Sequence, residues 1–146
     1  MKNQIELRFQ AISENEALAR TVISAFLVQA DPLLSIVSEV RTAVSEAVTN
    51  AIVHAYCSRG SGLIILRASM DELKAEIEIE DFGCGIADID RAMQPFYTSQ
   101  PEMERTGMGF TLMQSFMDGI RVCSSPGNVT TVYMTKLLEH IREDAV

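Results

Sequence analysis

Apolar and polar residues alternate near the start of the chain. Ile5, Leu7, Phe9 and Ala11 interleave with Glu6, Arg8 and Gln10, the period of two that a half-buried strand requires. The period then lengthens. Ser13 precedes "ENEALARTVISAFLVQA", which predicts a helix with Ser13 as N-cap and Glu16 completing a capping box. Asp31-Pro32 stops it, because proline drives the preceding residue out of the helical region. A second helix is predicted from about Ser35 to Tyr56. Val40, Ala43, Val44, Ala47, Val48, Ala51 and Ala55 form one broad apolar stripe along it. The many alanines imply close approach to a sheet.

"GLIILRASM" and "LKAEIEIED", joined at Asp71-Glu72, read as an antiparallel hairpin. Residues 88–106 have weak periodicity and two prolines, and predict a long loop with one helical turn. "GMGFTLMQSFMDG" opens on glycines and continues as a helix. "IRVCSS", a turn at Pro126-Gly127-Asn128 and "VTTVYMTKLL" make a last hairpin. The order is β-α-α-β-β-loop-α-β-β, with helices in blocks and strands in hairpins. That order predicts a two-layer α+β sandwich rather than a doubly wound parallel fold. Residues 1–146 read as one domain, without repeats or linkers.

Certain polar residues break these patterns. Glu46, Asn50 and His54 follow one another at spacings of four along the second helix. Glu46 and Asn50 lie at the border of the apolar stripe, with Cβ atoms roughly 6 Å apart. From this helix alone they are either a solvated boundary pair or groups that look into a cleft. In the strand 74–81, Lys74, Glu76, Glu78 and Glu80 face one way, and Ala75, Ile77, Ile79 and Asp81 the other. Asp81 therefore emerges from the apolar face, where an unpartnered carboxylate is costly. It is either a capping residue of an ordinary turn or an acceptor for an exocyclic amine such as that of adenine. Gly83 and Gly85 follow, permitting a tight turn and close approach of a ligand to backbone. Gly107 and Gly109 open a helix, whose free amides suit an anion. Arg105, just before them, is either an exposed loop charge or a phosphate contact.

Composition narrows the classes. The 146 residues are 47% hydrophobic and 22% charged, which suits one ordered domain with a real core. The net charge of −8 argues against nonspecific nucleic-acid binding, which needs a basic surface. It leaves an anionic small ligand open, because a metal ion or local site reverses the field. "TVISAFLVQA" is about half as long as a membrane span requires, and the N-terminus lacks an apolar signal core. Cytoplasmic location is the expectation. Cys57, Cys84 and Cys123 are odd in number without C-x-x-C spacing, so neither a disulfide framework nor a zinc site is expected. Each is expected as a small core or cleft-wall residue. "DFG" (81–83) matches the magnesium-binding tripeptide of common protein kinases, but the HRD loop and the VAIK strand are missing.

The order Glu46 and Asn50 on one helix, Asp81-Phe82-Gly83-Cys84-Gly85, a loop, Gly107-Met108-Gly109-Phe110, then Thr130 on a strand resembles the GHKL superfamily of ATP-binding domains, which includes histidine kinases, gyrase and MutL. "EAVTNAIVHAY", "QPFYTSQPEMERTGMGF" and "SFMD" are similar to the anti-sigma-F family of serine protein kinases of spore-forming bacteria. The resemblance covers essentially the whole chain. It implies a Bergerat-type sandwich, with a mixed, mostly antiparallel sheet covered on one face by helices and an ATP lid at about 93–106. ATP or ADP with magnesium, and a homodimer, are implied too. Two protein partners are implied: a sporulation sigma factor held inactive, and an anti-anti-sigma factor phosphorylated on serine.

By the same resemblance Glu46 is the general base and Asn50 the magnesium ligand. Asp81 is the adenine-binding acid, supported by Gly83 and Gly85. Gly107, Gly109 and Phe110 form the phosphate side, with Arg105 as a further phosphate contact, and Thr130 lies beside the adenine. His54 is expected as a supporting residue rather than a phosphoacceptor. Two positions depart from the family pattern. Val129 stands where glycine is expected before Thr130, and Gln100 where a lysine is expected in the lid. Two other readings stand beside the kinase: a binding module that uses nucleotide only to order its lid, and a histidine-kinase-like ATPase domain.

Overall fold

The computed structural model describes residues 2–56, 62–86, 89–93, 109–124, 126–127 and 129–140. Strand β1 (Asn3–Gln10) leads into helices α1 (Glu14–Val28) and α2 (Leu34–Asn50). A short π-helix (Ala51–Ala55) continues α2 directly. Strands β2 (Leu63–Met70) and β3 (Lys74–Asp81), one-turn helix α3 (Ile89–Ala92), helix α4 (Gly109–Phe116) and strands β4 (Gly119–Cys123) and β5 (Thr130–Leu137) follow. The five strands run β1-β2-β3-β5-β4 across one sheet. All four pairings are antiparallel, so the mixed component of the expected sheet has no counterpart among the described strands.

Register explains the two faces of this sheet. Leu7, Leu66, Ile79, Val132 and Val122 form one row across all five strands, and Ile5, Ala68, Ile77, Met134 and Ile120 the next. These rows meet the α2 stripe, where Val40, Ala43, Val44, Ala47, Val48 and Ala51 are all buried. Small alanines let the helix backbone approach the sheet, and each buried valine, leucine or isoleucine contributes about 1.5–3 kcal/mol. The opposite face carries Glu6, Arg67, Glu78, Tyr133 and Arg121 in register. Arg67 there bonds Glu6, Glu78 and Glu80, each at 3.1 Å.

The expected capping box is not formed. Ser13 is itself helical, with φ −57° and ψ −35°, and makes no side-chain cap. Glu16 instead accepts a hydrogen bond from Ser45 Oγ on α2, because packing α1 on α2 offers that carboxylate a tertiary partner. Helix α1 ends as the sequence predicts: Asp31 takes a left-handed φ of 52° just before Pro32. The cysteine expectation needs correction. Cys84 and Cys123 are free and exposed, Cys84 in the glycine turn and Cys123 in the row with Thr131. Cys57 lies outside the described residues.

Candidate functional site

The helix-facing side of the sheet is apolar in its middle and polar at both ends. One end row reads Asn3, Met70, Ala75, Lys136, and the other Phe9, Ile64, Asp81, Thr130. Lys136 is buried and satisfied: its Nζ donates to Glu39 and to the Phe116 carbonyl. Asp81 is different. It is only 6% exposed, and Oδ1 accepts one hydrogen bond, from the Gly83 N–H at 3.0 Å. Burial is the main reason its carboxyl rises from 3.8 to about 6, the Gly83 N–H opposing and the Glu80 charge adding to the shift. A carboxylate held this way gains from any donor that enters the pocket.

Thr130, 5% exposed, sits opposite Asp81 in the β3–β5 ladder. Its hydroxyl and Ser124 Oγ share a hydrogen bond of 2.6 Å. Ser124 Oγ also accepts the Ile86 N–H at 2.9 Å, and Cys84 O accepts the Gly127 N–H at 2.7 Å. These links fasten the glycine turn after Asp81 to the β4–β5 hairpin. Gly85 has φ 78°, a conformation that strains any side chain. Val129 is exposed and leaves Thr130 in register.

Glu46 and Asn50 are half-buried in the last turns of α2, as the border of the stripe predicts. Asn50 meets the third element of the site. A Cβ on Gly109 would lie 3.0 Å from both Nδ2 and Oδ1 of Asn50, so the first turn of α4 rests on the Asn50 amide. Phe110 is half-buried and packs against the core. The first turn of a helix leaves amide N–H groups without internal partners, and its dipole favours negative charge. The structure thus brings Asn50 and Gly109 together, and separately Asp81, Gly83, Gly85 and Thr130. Arg105, Gly107, Gln100 and the lid beyond Met93 lie outside the described residues. His54 is half-buried in the π-helix, its carbonyl accepting from Cys84 Sγ at 3.5 Å.

Two residues of the site escaped the sequence reading. Ser124 carried no signal beyond its place in a turn. Tyr56 bonds Phe82 N and Leu63 O through its hydroxyl, and only the fold brings positions 56, 63 and 82 together. Among the described residues no group of three or more His, Cys, Asp or Glu is placed to hold a metal ion. No helix among them is long and apolar enough to cross a membrane.

A helix-backed antiparallel sheet with a buried carboxylate at one strand end and an asparagine against Gly109 fits an ATPase-type domain. Residues 9–136 match the family described as "Histidine kinase-like ATPase domain". The chain is 47% identical to the "Anti-sigma F factor" of Halalkalibacterium halodurans over 94% of both chains. It is 46% identical to that of Pasteuria penetrans over 99% of this chain and 97% of the relative. The chain belongs to the anti-sigma F factor family of histidine kinase-like ATPase domains. The fold is also that of the crystal structure of the RsbU and RsbW domains of a Mycobacterium tuberculosis protein, with a TM-score of 0.67 at 16% identity, covering 96% of this chain and 35% of that one.

The Gly109 contact makes a prediction. In Gly109→Ala the new methyl presses on the Asn50 amide, so that amide must move by a few tenths of an ångström. Affinity for magnesium–ATP, by titration calorimetry, is expected to fall about tenfold, equivalent to about 1.4 kcal/mol, with the thermal midpoint nearly unchanged. Unaltered affinity would show that the close approach has no role in binding.

Proposed function

We propose that this chain is an anti-sigma factor and an ATP-dependent serine protein kinase. It binds and inhibits a sporulation sigma factor, and it phosphorylates and so inactivates a small anti-anti-sigma protein. One observation carries the nucleotide part: a desolvated carboxylate, Asp81, stands beside buried Thr130 at the strand end of the sheet's helix-facing side. The family membership supports the regulatory part.

The residues fit ATP. Asp81 Oδ1 is tied to Gly83, so its second oxygen is the one to accept the exocyclic amine of adenine. Gly83 and Gly85 allow the ring close to backbone. Gly107, Gly109 and Phe110, with Arg105, take the phosphate side. Asn50 would hold magnesium through its amide oxygen, and the ion would supply positive charge beside the phosphates. Glu46, one turn before Asn50, accepts the proton of the partner's serine hydroxyl as its oxygen bonds the γ-phosphorus, the bond from that phosphorus to the β-phosphate oxygen breaks, and ADP leaves. The rest of the catalysis is positioning and electrostatics.

A second copy of the chain is part of the proposal. Strand β1 is a sheet edge, and Leu18 and Val28 on α1 are exposed, so strand and helix together offer a face for a symmetric dimer. The cytoplasm is the proposed location.

The deciding experiment incubates the purified chain with labelled ATP, magnesium and the anti-anti-sigma protein. Acid-stable label on a partner serine is expected. Acid-labile label points to histidine chemistry instead, and no transfer with intact ATP binding leaves a binding module only.

A further inference from the structure

Tyr56 makes a contact to which no role has yet been given. Its Oη accepts the Phe82 N–H at 2.5 Å and donates to the Leu63 carbonyl at 2.8 Å. The register makes these two partners meaningful. Ile64 pairs with Asp81 in the β2–β3 ladder, so Leu63 and Phe82 are the pair that would extend it by one step. The tyrosine hydroxyl occupies that step. It satisfies both backbone groups, ends the ladder, and leaves Asp81 as the last residue of β3.

The ring is held as firmly as the hydroxyl. A Cβ on Gly62 would lie 2.5 Å from the Tyr56 ring, and Gly62 has φ 123°, so glycine lets the chain pass flat against the aromatic face. The Gly62 carbonyl in turn accepts the Ala11 N–H at 3.0 Å. Burial raises the Tyr56 phenol above its ordinary 10.0, so the hydroxyl keeps the proton it donates to Leu63.

The π-helix explains why Tyr56 reaches this place. The Tyr56 N–H bonds the Ala51 carbonyl at 3.3 Å, five residues back, which closes the π turn. Each π turn holds one residue more than an α turn. It therefore rotates the following chain by about 100° relative to a continued α-helix. Ala51 comes directly after Asn50. The extra residue thus sets the angle between Glu46 and Asn50 on α2 and the tyrosine that grips the end of β3.

We propose that Tyr56 is a positioning residue for the base of the nucleotide, acting through Asp81. By pinning the Phe82 N–H it fixes the Asp81–Phe82 peptide, directly before the peptide that carries the Gly83 N–H, and that N–H holds Asp81 Oδ1 at 3.0 Å. Oδ2 is thereby aimed at the ligand. This rests on the proposed reading of the site as an ATP site. Without the hydroxyl, Phe82 and Leu63 either lose their partner or zip together directly. In both cases Gly83 moves and the carboxylate turns.

The test uses Tyr56→Phe in the full chain, with ATP and inosine triphosphate as probes. The second presents a carbonyl where adenine has its amine. The variant is expected to bind ATP about tenfold more weakly than wild type, and inosine triphosphate within about twofold. In the phosphotransfer assay the KM for ATP rises about tenfold while kcat stays within about twofold. Equal weakening of the two nucleotides would assign Tyr56 a merely structural role and overturn the inference, as would no weakening of either. If Tyr56→Phe does not fold, hydrogen exchange of the wild-type Phe82 amide decides. ATP should slow it about tenfold more than inosine triphosphate does, and equal slowing overturns the inference. Absence of ATP binding by the wild type would instead refute the underlying nucleotide reading, and this inference with it.

Discussion

Glu46→Ala is expected nearly to abolish phosphate transfer to the proposed partner's serine while leaving ATP binding nearly intact. A positioned general base contributes about 10²- to 10⁴-fold, so the rate constant for labelled phosphate transfer should fall by that factor. The dissociation constant for magnesium–ATP should stay within about threefold of wild type. Glu46→Gln should behave the same way, since the amide keeps the shape but not the basicity. Glu46 is half-buried at the end of a helix whose other face is wholly packed, so truncation there costs little core. Asn50, one turn on, still rests against Gly109. Full transfer by Glu46→Ala would remove the base assignment and leave only positioning.

Asp81→Asn is expected to have opposite effects on function and stability. ATP binding should be lost to calorimetric detection, because the amide presents an N–H₂ group and no charge to the adenine amine. Free of nucleotide, however, the variant should be the more stable protein at neutral pH. The native carboxyl titrates at about 6, raised from 3.8 chiefly by burial, so the folded state binds its proton more tightly than the unfolded state. Stability is then greatest below the unfolded value and falls as pH rises toward about 6, becoming flat above it. The buried charge costs on the order of 2–3 kcal/mol at pH 7, and asparagine avoids it. The melting midpoint of Asp81→Asn should exceed that of wild type at pH 7, and the gap should shrink as pH falls from 6 toward 4. A variant that melts lower at pH 7 would mean that Asp81 is a stabilising structural residue. A strained group kept for its chemistry follows the usual trade of stability for function.

Much of this is legible in the sequence. The alternation in 74–81 assigned Asp81 to the apolar face, and Ala75, Ile77, Ile79 and Asp81 are all buried. The α2 stripe was readable for the same reason, and with it the border positions of Glu46 and Asn50. These inferences depend only on a fixed geometric period, which local sequence carries. The capping box failed because Glu16 found a better partner on another helix, a competition that no local rule contains. Cys84 and Cys123 are not core residues, because composition predicts only an average burial, whereas a turn and an outward row decide theirs.

By itself, the sequence determined the order of elements, the apolar stripes and rows, and the residues that broke them. Tertiary structure alone decided how those breaks combine. Asn50 meets Gly109 and Asp81 meets Thr130 across 59 and 49 positions of chain. Tyr56 closes the end of a ladder between strands it does not belong to. Periodicity is a property of neighbouring residues, so it can be read from the chain. The dryness of Asp81 and the grip of Tyr56 come from groups distant in sequence, and exist only once the sheet has formed beneath the helices.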